Sequence, residues 1–493
     1  MVTTCFNIYQ KFCKDLGLAT ISQIAVILNG ILILPILAKN LSIDHYGIWS
    51  QIIVTLNFLV PLSMMQLEYS MTRFLAAEKN KYIVGKGISS IFSVILFTAL
   101  LTSILIFIFS ESISKNFFGG ISSRNFVILL SPIVFISAME QISIRYFLTF
   151  RQMKRFSAFV IFQRVSEFLL VSFAIISGFG LYYALIGLLF ARSITFAITT
   201  IFIILEIDVV RPDMCTIWNY LSYSIYLVFV NICYWILNLG DRYIIGWFLG
   251  AASVGIYSAA FTVGSIISYL YSPLANILFP ALAHSYNNYN EGISEIYLKY
   301  TLRIFLFVAI PCVFGLTVLS RQLLHILTTP AFEPYYYIIP LASIGGILYS
   351  IGNIYADTFN LLKMTKLLFT SYMISALINL SLNMLMVPRI GILGSGISYV
   401  ASLIFLVILL HNVVNSHILI DWDYKFIIKS IVSSSIMALI LLVLNPCNIL
   451  TIVFSILLGF FIYLVIMILL RGLTNNEINF MVQLFNKSKL VYN

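Results

Sequence analysis

Charged side chains are scarce in the apolar stretches of this sequence, and those present suit anion chemistry. Arg164 and Glu167 stand three residues apart, on one face of a helix. Arg192 lies in the middle of the next apolar run. Upstream, Ser137, Glu140, Gln141 and Arg145 make a polar stripe at helical spacing. Guanidinium groups grip phosphate oxygens through a planar fork, while amides and hydroxyls suit sugars. A charge in a bilayer costs roughly 2.5–3.5 kcal/mol on insertion scales, so such residues carry a functional expectation. A plainer role stays open: Arg164–Glu167 and Glu140–Arg145 also suit compensating pairs that tether helices.

Two further groups sit at the ends of apolar runs. Asp241 and Arg242 follow Gly240 directly, where one run breaks and another begins. They suit a gate or a phosphate contact, and equally an interfacial cap with Arg242 snorkelling to headgroups. Glu68 and Arg73 close the second run. Arg73 suits a phosphate contact or a positively charged anchor.

The elements that must position these residues are membrane helices. Of the 493 residues, 61% are hydrophobic and 9% charged, which excludes an ordinary soluble domain. A ruler of about 20 apolar residues per span gives fourteen spans, and every connection between them is short. The chemistry is therefore expected inside the membrane bundle. Outside loops hold only Lys39, Lys115, Arg124, Arg242, Arg321 and Arg389 when the N-terminus is cytoplasmic, and most of the 28 Lys and Arg then fall on cytoplasmic segments. That asymmetry places both termini in the cytoplasm. The cysteines and histidines show no metal-ligand spacing, no nucleotide-binding glycine loop is present, and no cofactor is expected. Without a cleavage-type signal after it, the first apolar run reads as a retained span.

The chain also uses one pattern twice. Gly47-Ile-Trp-Ser50 parallels Gly255-Ile-Tyr-Ser258, Phe147-Leu-Thr-Phe-Arg151 parallels Phe359-Asn-Leu-Leu-Lys363, and Gly180 parallels Gly391. Pro61-Leu62 and Pro273-Leu274 also pair. Matches in the same order at nearly one offset point to a duplicated half. The expected architecture is an all-α polytopic membrane protein of about fourteen helices. Residues 1–210 and 211–418 form two pseudo-symmetric six-helix halves, and 419–493 add two helices and a cytoplasmic tail.

The stretch LGDRYIIGWFLGAASVGIYSAAFTVGSIISYLYSPLANILFPALA, with ILPILAKNLSIDHYGIWS and the Arg73-Phe74 pair, resembles polysaccharide exporters of the multidrug/oligosaccharidyl-lipid/polysaccharide superfamily. Within it the chain looks most like O-antigen flippases. That resemblance implies a non-enzymatic transporter of the cytoplasmic membrane. It would move an isoprenoid-pyrophosphate-linked oligosaccharide, such as a lipopolysaccharide O-antigen unit, by alternating access. It implies as partners that substrate, membrane lipids, H+ or Na+ as coupling ion, and a polysaccharide polymerase with its chain-length regulator. Nucleic acid is not among them. Substrate contacts are expected from Glu140, Arg145, Arg164, Glu167, Arg192 and Arg73, and a gate from Asp241 and Arg242. The first span departs from relatives on either side. It offers Gln23 and Asn29 where lipid II flippases carry arginines and cation-coupled drug exporters a carboxylate. A drug antiporter of the same superfamily is the nearer alternative, and a membrane polymerase or glycosyltransferase the more distant one.

Overall fold

The computed structural model describes residues 2–207, 210–272, 274–275, 291–362, 364–417, 422–444, 446 and 448–472. Pro273 and Lys363 lie outside these. Among the described residues, 14 helices are long and apolar enough to cross a membrane. They are α1 (Val2–Asn40), α2 (Ile43–Ser63), α3 (Lys81–Ile108), α4 (Arg124–Thr149), α5 (Met153–Ile176), α6 (Gly180–Glu206), α7 (Met214–Leu239), α8 (Asp241–Gly264), α9 (Glu291–Val318), α10 (Ile338–Leu361), α11 (Thr365–Ile390), α12 (Ile392–Asn415), α13 (Tyr424–Leu444) and α14 (Ile449–Leu469). The protein is a multi-pass, all-helical membrane protein. In lipid each backbone N–H and C=O must be satisfied internally, and long uninterrupted helices do so.

Polar residues end the spans where water returns. Ser42 caps α2 by accepting from His45 N, and Asn80 caps α3 by accepting from Tyr82 N. Asp213 caps α7, accepting from Thr216 N (3.1 Å) and Thr216 Oγ1 (2.7 Å). These bonds hold its carboxyl below the usual range, and Lys86 pairs with it at 3.3 Å. Pro61, Pro132 and Pro311 sit inside helices, as expected of kink sites, whereas Pro340 falls in the first turn of α10. There a missing N–H costs nothing.

The chain packs as two units. The first comprises Met1–Val263, Leu327–Ile338 and Thr365–Leu406. In it α5 packs on α1 and α6, α4 on α3 and α6, and α7 on α11. The most apolar window of α2 and of α4 is 67% buried, against 22% for that of α3, so α2 and α4 form its interior. The second unit comprises Gly264–Ile326, Ile339–Met364 and Val407–Asn493. There α13 packs on α9 and α14. Arg303 of α9 ties them together: it pairs with Asp423, donates to Gly472 O (3.0 Å) and lies 4.5 Å above the Phe426 ring.

Within the first unit the paired glycines of the sequence pattern meet. A Cβ on Gly255 would stand 2.9 Å from Gly47 N and 2.9 Å from Ile43 O, and one on Gly47 would collide with the Ala251 carbonyl. Their backbones touch, so α2 and α8 cross without a side chain between them. Gly180 and Gly391, also paired in the sequence, share the left-handed turn at the start of α6 and α12 (φ +80° and +67°). Gly47→Val is expected to force this crossing apart at a cost of about 1–3 kcal/mol. A lowered melting temperature in a fluorescence-monitored thermal scan would register it, and an unchanged melt would mean that the crossing yields freely.

Candidate functional site

A cavity of about 430 Å³ lies inside the first unit, lined from five helices. Helix α1 contributes Gln23, α2 Asn57, α4 Glu140, Gln141 and Arg145, α5 Gln163, Arg164 and Glu167, and α6 Arg192. On α5 the lining follows helical spacing through Val160, Gln163, Arg164 and Glu167, so one face of that helix turns inward. Five charged residues singled out from the sequence are thus brought together.

Glu167 is the hub. Its Oε2 lies 3.1 Å from Arg164 Nη1 and its Oε1 4.0 Å from Arg192 Nη2. The Glu167 side chain is 5% exposed and that of Arg192 13%. The Nε atoms of Arg164 and Arg192 are buried with no acceptor among the described residues. Glu140 is fully buried, and neither of its carboxylate oxygens meets a donor at hydrogen-bonding distance among the described residues. Such a set is electrostatically strong and incompletely satisfied, which suits it to an anionic, hydrogen-bonding guest.

Two expectations change. The Glu140–Arg145 tether does not form; Arg145 Nε instead lies 3.0 Å from Glu68 Oε2. Five residues turn through about 140° of helix, so these two side chains point apart. Ser137 turns back onto its own helix, donating to Ile133 O. Arg73 is also absent from the cavity lining. It sits on the short helix Leu67–Leu75, which is tied to α7 by Ser70 Oγ donating to Tyr220 O (2.8 Å). Its guanidinium lies 4.3 Å above the Tyr223 ring, in a separate groove with Phe74 and Tyr220. Gln163 and Asn57 join the lining as neutral polar groups beyond the charged residues expected there. Gln163, beside Arg164 and one turn from Glu167, was the readable one.

At the α7–α8 corner Asp241 and Arg242 are buried, 1% and 4% exposed. Arg242 Nη1 donates to Asp241 Oδ1 (2.7 Å) and Asn238 O (2.9 Å), and Tyr257 Oη donates to Asp241 Oδ2 (2.5 Å). The guanidinium stacks 4.3 Å over Phe261. The structure starts α8 at Asp241, whose carboxylate therefore sits in a first turn and is stabilised by the helix dipole. Helix α8 breaks at Gly250 (φ 81°, ψ 175°) and then continues through Tyr257 to Gly264. Nearby, Thr55 Oγ1 and Tyr243 Oη are 2.6 Å apart, and Trp235 Nε1 donates to Val54 O (3.2 Å), binding the corner to α2.

These features define a membrane-embedded charged cavity on a two-unit helical scaffold. Residues 12–286 match the family described as polysaccharide biosynthesis protein, and the chain belongs to that family. A probable low-salt glycan biosynthesis flippase of Haloferax volcanii is 25% identical over 228 residues. The match spans 46% of this chain and 48% of that protein, about half the length of each. In fold the chain is similar to the lipid II flippase MurJ in an inward closed conformation, with a TM-score of 0.77 at 18% identity, covering 93% of this chain and 99% of that one. It is also similar to an inward-facing multidrug resistance MATE transporter of the MOP superfamily, with a TM-score of 0.67 at 12% identity, covering 80% and 95%.

Proposed function

We propose that this protein is a flippase of polysaccharide biosynthesis, moving an isoprenoid-pyrophosphate-linked oligosaccharide of the O-antigen type across the cytoplasmic membrane. The observation that carries the reading is the cavity in which Arg164 and Arg192 share one carboxylate and keep buried N–H groups without acceptors among the described residues. The diphosphate meets these arginines, the glycan meets Gln23, Asn57, Gln141 and Gln163, and the lipid tail stays in the bilayer. Residues 1–210 and 211–418 act as two parallel halves about an axis along the membrane normal, with both termini cytoplasmic. The touching of Gly47 and Gly255, equivalent positions of the repeat, supports that relation. Asp241 and Arg242 latch the outward end of the path. No bond is made or broken in the substrate. The buried Nε groups of Arg164 and Arg192, without acceptors among the described residues, favour an anionic head over a cationic drug.

Reconstitution into liposomes tests this reading. A fluorescent isoprenoid-diphosphate oligosaccharide, present in both leaflets, is about half protected from a membrane-impermeant quencher in empty vesicles, by the geometry of a bilayer. Flipping during quenching is expected to remove that protection. Persistent protection together with accumulation of a quaternary-ammonium dye would favour the drug antiporter instead.

A further inference from the structure

We infer that Glu167 is a resident counter-anion, which the diphosphate of the cargo displaces from Arg164 and Arg192; the inference rests on the flippase reading above. Each carboxylate oxygen faces a different guanidinium, Oε2 at 3.1 Å from Arg164 and Oε1 at 4.0 Å from Arg192. One carboxylate cannot satisfy two forks of five N–H donors each, and the buried Nε of both arginines is left without an acceptor among the described residues. A diphosphate offers more oxygens and more charge than a single carboxylate, and so satisfies both forks better.

The alternative to a resident anion is two adjacent buried guanidiniums without compensation, a costly arrangement in an empty cavity. Glu167 provides that compensation, and its position makes it removable. It shares a helix with Arg164 at a spacing of three residues, so a change of side-chain rotamer releases the arginines without moving the backbone.

The neighbouring acid does not fill this role. Glu140 on α4 lines the same cavity and stands in the field of Arg192 and Arg164, but among the described residues it forms an ion pair with neither, and Arg145 on that helix is engaged with Glu68. Helices α1 and α2 bring only neutral polar groups, Gln23 and Asn57, to the lining. A built-in competitor lowers affinity for the cargo and shortens its stay, which a carrier needs in order to release what it has moved.

The test uses the full chain in nanodiscs, with inorganic pyrophosphate as the probe in titration calorimetry. Glu167→Gln is expected to tighten pyrophosphate binding at least about tenfold, equivalent to about 1.4 kcal/mol, while slowing turnover of the lipid-linked oligosaccharide in liposomes. Adding Arg192→Gln to that variant is expected to return the affinity to the wild-type level or below. A thermal melt confirms that both variants are folded. Affinity that is unchanged or weaker in folded Glu167→Gln, with wild-type binding retained, would overturn the inference: Glu167 would then merely hold the arginines in place. If neither the wild type nor Glu167→Gln binds pyrophosphate, the cavity is no diphosphate site, and the flippase reading falls with the inference.

Discussion

Arg192→Ala is expected to abolish measurable transport while leaving the protein inserted and folded. Arg192 is the sole charged residue that α6 contributes to the cavity lining, and its side chain is 13% exposed. Truncating one partner of a buried, hydrogen-bonded charge pair costs about 2–5 kcal/mol. At about 1.4 kcal/mol per factor of ten, that is a loss of at least roughly 25-fold in occupancy of the charged guest. Arg192→Lys is expected to recover part of it, since a point charge remains but the planar fork is lost. Glu167 keeps Arg164 as a partner at 3.1 Å, so the alanine variant does not strand that carboxylate and should still fold, as a thermal melt would show. Normal export by Arg192→Ala would assign Arg192 a structural role alone.

The second large effect is expected at the α7–α8 corner. Asp241→Asn keeps the shape of the side chain but strands Arg242, which is 4% exposed. Breaking a buried pair by removing one partner costs about 3–5 kcal/mol, so a marked fall in thermal stability and in transport should appear together. Arg242→Met combined with Asp241→Asn should be milder than Asp241→Asn alone, because no unpaired charge remains. An exchange of the two residues should not rescue function. Position 241 receives the Tyr257 hydroxyl and position 242 lies on the faces of Phe261 and Tyr257, so the sites are not interchangeable. Cysteine accessibility in the cavity reports whether the corner also governs opening. Unchanged accessibility with normal transport in Asp241→Asn would leave the pair a local staple.

The sequence made the spans legible because the bilayer admits so few solutions. A run of apolar residues long enough to cross must be a helix, and the fourteen spans expected are matched by 14 helices among the described residues. The charges of the cavity were legible for the same reason, since Arg164, Glu167 and Arg192 have no inexpensive place in lipid. Partner choice was harder. Arg145 and Glu68 are far apart in sequence and belong to different helices, so no helical periodicity links them. Tyr257 reaches Asp241 only because α8 changes direction at Gly250, and a sixteen-residue separation carries no periodic signal across such a break. The displacement of Arg73 from the cavity depends on how the helix Leu67–Leu75 turns against α7, a packing choice made after both helices exist.

The central claim is that the diphosphate head of a lipid-linked oligosaccharide occupies the cavity between α1, α2, α4, α5 and α6. Site-specific photocrosslinking tests it most directly, with a photoreactive amino acid at Gln163 or Asn57 on the lining and at Leu450 of α14, which is 81% exposed, as the control. The account predicts that a radiolabelled isoprenoid-diphosphate oligosaccharide crosslinks at both lining positions, that excess pyrophosphate suppresses the adducts, and that Arg192→Ala removes them. Crosslinking at Leu450 alone, or lining adducts that are indifferent to pyrophosphate and to Arg192, would contradict it.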